Sequence, residues 1–244
     1  MSDGPAGSTS RRGLIVFEIG AVLTVYWLPM LVTSVEFFAY GTGSSAIGAS
    51  STLSLWNQTI TKLALTPFLF LLAWRGAGSL KRFYLDMGTR WAGLLVVPIY
   101  FLDRTVTWIG MVAASAGPDG PTYAQAFIAR PSIHADPSLS HVAALIVYVT
   151  IAVFLEEYVF RGYLISRLID LTGKPWLAVV LSSALFASFH IYQGLPRVFV
   201  VFLAGLIYAG TMRVTRSIWP AFFAHWAVDA ILGLTQMGVF GRAH

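Results

Sequence analysis

Apolar residues run along this chain in long blocks broken by short polar punctuation. The first block covers about 13–38, and six more follow at roughly 52–74, 91–114, 141–168, 175–192, 197–213 and 218–237. A hydrocarbon core of about 30 Å takes around 20 helical residues to cross, so each block has, or nearly has, the length of a membrane-spanning helix. The connections carry breaker residues. Gly41–Ser51 is rich in Gly and Ser, Arg75–Arg90 is basic, Gly117–Ser140 is rich in Pro, Gly and Asp, and Gly173-Lys174-Pro175 and Gly194-Leu195-Pro196 form short turns. Pro29, Pro67 and Pro98 fall inside blocks and predict kinks, because membrane helices tolerate proline. The pattern predicts an all-α, polytopic transmembrane bundle of about seven spans. Its expected organisation is a disordered tail over 1–12, three helices and their loops over 13–140, a four-helix core over 141–237 and a C-terminal tail over 238–244. No internal repeat points to an inverted-repeat transporter.

Composition agrees. Charged residues make up 11% of the chain against about a quarter in a soluble domain, and 57% is hydrophobic, with a mean hydropathy of +0.71. Soluble enzymes and disordered chains are excluded on this count. The net charge of +5 comes without a basic patch dense enough to track phosphates, so no nucleic-acid partner is expected. The absence of cysteine excludes a disulfide framework, a Cys-ligated metal and a thiol nucleophile.

The basic residues orient the chain. With the N-terminus inside, cytoplasmic positions collect Arg11, Arg12, Arg75, Lys81, Arg82, Arg90, Arg161, Arg167, Lys174, Arg213 and Arg216, while the outside receives Arg130, Arg197 and Arg242. By the positive-inside rule the N-terminus is cytoplasmic and the C-terminus outside. The expected location is a bacterial inner membrane, crossed several times.

Charges within spans are expensive and are functional candidates by default. Glu18, about one turn from the cytoplasmic end, is expected to reach the interface. Lys62 reads either as an intramembrane cation or as a side chain whose stem follows a cavity to water. Asp103 and Arg104 are expected to satisfy each other or to bend toward a crevice. The fourth span is different, carrying Phe154-Leu155-Glu156-Glu157-Tyr158-Val159-Phe160-Arg161. Glu157 and Arg161 are i,i+4 and can pair; Glu156 points about 100° away, outside that pair, and is a candidate general base or acid. The fifth span ends on Phe186-Ala187-Ser188-Phe189-His190, and the seventh carries His225 and, four residues on, Asp229. That spacing lets Asp229 orient the imidazole and fix its tautomer. At 1.5 Å rise per residue, Glu156, His190 and His225 lie ~18, ~24 and ~12 Å above the cytoplasmic ends of their spans, compatible with one layer between the fourth, fifth and seventh spans. Taken singly, each motif also fits an ion pair or hydrogen-bonded pair that only fixes helix packing.

Glu156-Glu157-x-x-x-Arg161, Phe186-x-x-x-His190 and His225-x-x-x-Asp229, in that order and with spacings of 34 and 35 residues between Glu156, His190 and His225, resemble the three motifs of the CPBP intramembrane proteases. That family includes the CAAX prenyl endopeptidases of the Rce1 type and the bacterial Abi proteins. The resemblance covers about 141–237. It implies an intramembrane endopeptidase acting on a membrane-anchored or lipidated protein or peptide within the bilayer. In that reading Glu156 and His190 activate water, His225 with Asp229 stabilises the oxyanion, and Glu157, Arg161 and Phe186 support the site. No cofactor is expected, although two histidines and a carboxylate could in principle bind zinc. A water-filled cavity would open to one side, expected to be the cytoplasmic one. Competing readings are a non-catalytic peptide-binding or immunity protein and a proton-coupled transporter, since Glu and His within spans also form proton relays.

Overall fold

The computed structural model describes residues 5–40, 51–77, 83–86, 91–116 and 138–240. The connections 41–50 and 117–137, most of the basic connection 75–90, and the outermost parts of both tails lie outside the described residues. Every regular element among the described residues is helical. Helix α1 (Pro5–Val22) continues through a π-helical turn at Leu23–Trp27 into α2 (Leu28–Tyr40). Helices α3 (Thr52–Ala77), α4 (Val96–Ser115) and α5 (Leu139–Glu156) follow. A π-helical segment, Glu157–Leu164, joins α5 to α6 (Ile165–Thr172), and α7 (Pro175–Ser188), α8 (Leu195–Thr215) and α9 (Trp219–Gln236) complete the chain.

Among the described residues, four continuous stretches are long and apolar enough to cross a membrane: Arg11–Tyr40, Ala92–Ser115, Leu139–Thr172 and Leu195–Thr215. Helix α3 has the length, but its first half carries Asn57, Gln58, Thr59, Thr61 and Lys62, and α9 carries His225 and Asp229. Apart from Thr59, whose hydroxyl donates to Leu55 O, the polar residues that dilute these two helices line the interior cavity described below.

Three expectations need correction. Helix α1 begins at Pro5, within the stretch 1–12 expected to be a disordered tail; a proline suits a first helical turn, where its missing N–H has no intrahelical partner to lose. The block 175–192 is not one helix. Helix α7 stops at Ser188, because the carbonyl of Phe186 is taken by the His190 ring and the His190 N–H turns back to Ala187 O instead, at 3.0 Å. A 3₁₀ turn at Ile191–Gln193 and Gly194 (φ 91°) then lead into α8. Pro98 sits in the first turn of α4 after a 3₁₀ turn at Ala92–Leu95, rather than kinking a helix interior. Pro67 does lie inside α3, and the π turn ends two residues before Pro29, next to the N–H that proline lacks.

The rod formed by α5, the π segment and α6 is the axis of the molecule, and every residue from Leu155 to Leu168 is buried. Helices α3 and α9 pack on α5, α7 on the π segment and α6, α8 on α7, and α4 on α8 and α9. Close approach needs small residues. A Cβ on Gly162 would stand 2.7 Å from Phe83 O, so the segment 83–86 can lie directly against the rod only because that position is glycine. The same segment accepts hydrogen bonds from the start of α9: Ile218 N–H to Tyr84 O, Ser217 Oγ to Asp86 O and Trp219 Nε1 to Leu85 O, at 3.0, 2.7 and 2.9 Å.

Glu18 does not reach the interface. It is 3% exposed, and its carboxylate meets Arg167 Nη2 at 2.9 Å. Arg161 and Arg167 are likewise buried and ion-paired, so two of the eleven residues counted as cytoplasmic charges are internal. Asp103 and Arg104 satisfy each other as expected, with Arg104 Nε donating to Asp103 Oδ2 at 3.0 Å.

Breaking one side of a buried pair strands the other charge, at a cost of about 3–5 kcal/mol, whereas replacing both with apolar groups is often near neutral. Glu18→Leu alone is therefore expected to lower the thermal midpoint of detergent-solubilised protein sharply, and Glu18→Leu with Arg167→Met to recover most of the loss. Additive losses in the double variant would show that the two side chains do not act as a pair.

Candidate functional site

Glu156 is the last residue of α5, and Glu157 is the first of the π segment, so the two carboxylates leave the rod in different directions. Glu157 turns inward and is fully buried; its Oε1 lies 3.2 Å from Arg161 Nη1. The pair predicted from i,i+4 spacing is present. The Arg161 guanidinium in turn covers the Phe186 ring, 3.9 Å from its centroid, a favourable placement for a desolvated cation over an aromatic face. Ser182 of α7 donates to Phe160 O within the π segment at 2.6 Å. The widened turn is thus pinned to the helix that carries Phe186 and His190.

His225, on α9, is gripped from both sides. Its Nδ1 lies 2.9 Å from Glu157 Oε1, while its Nε2 lies 3.9 Å from Glu156 Oε2 and 3.6 Å from Asp229 Oδ2. This corrects the expected role of Asp229. The nitrogen whose hydrogen bond sets the tautomer is held by Glu157, from another helix, and Asp229 faces the opposite nitrogen. A carboxylate paired with an arginine accepts rather than donates, so His225 donates from Nδ1. The Tyr208 ring of α8 stacks on His225 with centroids 5.1 Å apart and 20° between planes, and its hydroxyl donates to Asp103 Oδ1 at 3.1 Å. Phe186 meets the other side of His225 edge-on at 5.8 Å.

His190 Nδ1 lies 3.0 Å from Phe186 O. A carbonyl only accepts, so Nδ1 carries the proton and Nε2 is left with a lone pair. Phe186 therefore serves three groups at once: its carbonyl fixes His190, and its ring carries Arg161 and flanks His225.

Glu156, His190, His225 and Asp229 all line one cavity of about 1250 Å³. The structure brings together every predicted site residue, with Glu157 and Arg161 behind the wall and the other five on it. Lys62 also lines the cavity, with Nζ 5.6 Å from the Tyr26 ring centroid and 6.0 Å from that of Tyr148. Sequence reasoning missed Tyr208, Tyr26 and Tyr148, because a tyrosine in an apolar helix gives no signal until its neighbours are known. Among the described residues, no group of three or more His, Cys, Asp or Glu side chains is arranged to hold a metal ion.

The cavity has its mouth at one end of the bundle. Its outer lining comes from the second half of α2, the first half of α3, the C-terminal half of α4, the start of α8 and the end of α9. These are the helix ends remote from Arg12, Arg75, Lys174 and Arg213. Toward the basic end the site is closed by Phe83, Tyr158, Tyr163 and the Glu18–Arg167 pair, all buried.

Residues 138–231 match the model of the Rce1-like family, described as type II CAAX prenyl endopeptidase Rce1-like. No curated protein and no solved structure matches the chain. The matched stretch contains Glu156, Glu157, Arg161, Phe186, His190, His225 and Asp229; Lys62, Asp103 and Tyr26 lie outside it.

The two adjacent glutamates should separate in their effect on stability. Glu157→Ala strands Arg161 and releases His225, and is expected to cost about 3–5 kcal/mol, read as a large fall in thermal midpoint in micelles. Glu156→Gln, on the cavity wall, should shift it little. Equal shifts would mean that Glu157 does not hold the site together.

Proposed function

We propose, from the match of residues 138–231 to the Rce1-like model of type II CAAX prenyl endopeptidases, that the chain is an intramembrane endopeptidase that hydrolyses a peptide bond of a membrane-anchored or lipidated protein or peptide. The observation that carries the proposal is that Glu156, His190, His225 and Asp229 line a single cavity. The chain crosses the bilayer seven times in this reading, four crossings being the long apolar stretches.

Glu156 is the general base. It takes a proton from a water molecule that the lone pair on His190 Nε2 helps to hold, and the resulting hydroxide attacks the peptide carbonyl. Charge then develops on the carbonyl oxygen, and His225 Nε2 is the donor facing it. Because Nδ1–H is committed to Glu157, the ring donates from Nε2 only while it carries a second proton, and Asp229 at 3.6 Å is the counter-charge to that form. Collapse of the tetrahedral intermediate expels the amine, which takes the proton held on Glu156. Preorganised donors and charges of this kind contribute most of what such a site needs. Glu157, Arg161 and Phe186 touch no substrate and position the two histidines. In this proposal hydrolysis needs no bound metal, and cleavage persists in the presence of a chelator.

Comparison of membrane peptides from cells carrying the native or the Glu156→Gln protein tests this reading. A truncated species is expected with the native form only. Loss of the general base lowers the rate by about 10²–10⁴-fold, and His190→Ala should do the same at unchanged expression. An unaltered peptide profile together with a retained phenotype would favour a binding protein, and substrate flux without cleavage a transporter. Asp229→Asn is expected to lower cleavage and change its pH profile; full activity with the native profile would remove the ionised Asp229 from the mechanism.

A further inference from the structure

The closed end and the open end of the cavity differ in charge. Setting aside Arg161 and Arg167, which are buried in ion pairs, nine Lys and Arg residues remain on the helix ends and connections at the closed end. The connections and tail at the open end carry only Arg130, Arg197 and Arg242. The shared identity of the closed end does not rest on counting. Hydrogen bonds from Ser217, Ile218 and Trp219 to the segment 83–86, and the Glu18–Arg167 pair, tie those helix ends together. At the other end, Tyr192 N–H donates to Ser34 Oγ at 3.0 Å, and Tyr192 meets Phe37 edge-on.

Short connections rich in Lys and Arg stay in the cytoplasm. The cavity mouth is therefore on the other side. Its lining suits water: Asn57, Gln58, Thr61, Ser115, Gln193 and Gln236 all face it. Between the site and the cytoplasmic face, by contrast, the rod is buried without a break from Leu155 to Leu168, with Phe83 packed over it. Water and a peptide reach Glu156 from one direction only.

We propose that the site is served from the extracytoplasmic face, and that its substrate is an exported or membrane-anchored polypeptide whose cleavable segment emerges on that side and dips into the cavity. The sidedness rests on charge and packing alone; the substrate class rests in addition on the hydrolytic reading above. Processing in this site follows translocation, so the reaction that supplies the substrate is export across, or insertion into, the same membrane.

The chain contains no cysteine, so single cysteines can be placed without background. Ser115→Cys and Asn57→Cys stand at exposed positions of the mouth, and Val214→Cys stands between Arg213 and Arg216 where the native side chain is 81% exposed. Each full-length variant, in sealed right-side-out vesicles, is treated with a membrane-impermeant maleimide. Ser115→Cys and Asn57→Cys are expected to react to completion, and Val214→Cys to show no labelling until detergent opens the vesicles. Reaction of Val214→Cys in sealed vesicles, or failure of both mouth positions to react until the vesicles are opened, overturns the proposal. Labelling needs no turnover. The expected pattern combined with identical peptides from native and Glu156→Gln cells would leave the sidedness standing and remove the hydrolytic reading. The reverse pattern with native-only cleavage would do the opposite.

Discussion

A single buried carboxylate, Glu157, holds the site together. It is ion-paired with Arg161 along its own rod and accepts the Nδ1–H of His225 from α9. Both partners are desolvated, and a charge in that position is tolerable only while each contact persists. The other features follow from satisfying this one group. Arg161 needs a face to lie on and finds the Phe186 ring. Phe186 brings the end of α7 against the π segment, and its carbonyl then fixes His190. The wall that meets solvent is assembled from behind, by Glu157 and Arg161, which do not themselves reach the cavity, through Phe186, which does.

The widened turn from Glu157 to Leu164 has its place in that assembly. A π segment carries more residues per turn than an α-helix and recurs at functional positions. Here it begins immediately after Glu156, so one glutamate ends a regular helix facing the cavity while its neighbour starts the widened turn facing the protein. The division of two adjacent, chemically identical side chains into one exposed to the cavity and one structural is achieved by backbone geometry. Gly162 and Ser182 secure that geometry, the first by admitting Phe83 and the second by holding Phe160 O.

Much of this was legible in the sequence because it depends on local period. Apolar blocks give helices, i,i+4 spacing gives Glu157–Arg161, and the three motifs share a depth. What was not legible depends on partners distant in the chain. Glu157 stands 68 residues from His225, and Asp103 stands 105 from Tyr208, so spacing gave His225 the Asp229 that faces Nε2 and missed the Glu157 that holds Nδ1. Glu18 was misplaced for the same reason, since its partner Arg167 belongs to another helix. The end of α7 escaped because a side chain, the His190 ring, competes for a carbonyl that the helix would otherwise use. The mouth of the cavity could not be read from any one segment; it exists only where five helix ends come together.

The lining of that cavity comes from two parts of the chain with unequal duties. Within 138–231 lie the groups that face the reacting bond in the proposed mechanism, each fixed by several buried neighbours. The opposing wall, from Tyr26 through Lys62 to Arg104, is contributed by the π turn after α1 and by α2 to α4, outside the matched stretch. Asn57 and Thr61 are bound by few such constraints, whereas Lys62 lies over the Tyr26 and Tyr148 rings and acts electrostatically on Glu156. Substitutions along this part of α3 would therefore reshape the wall opposite the carboxylates and imidazoles without touching the buried groups that hold them.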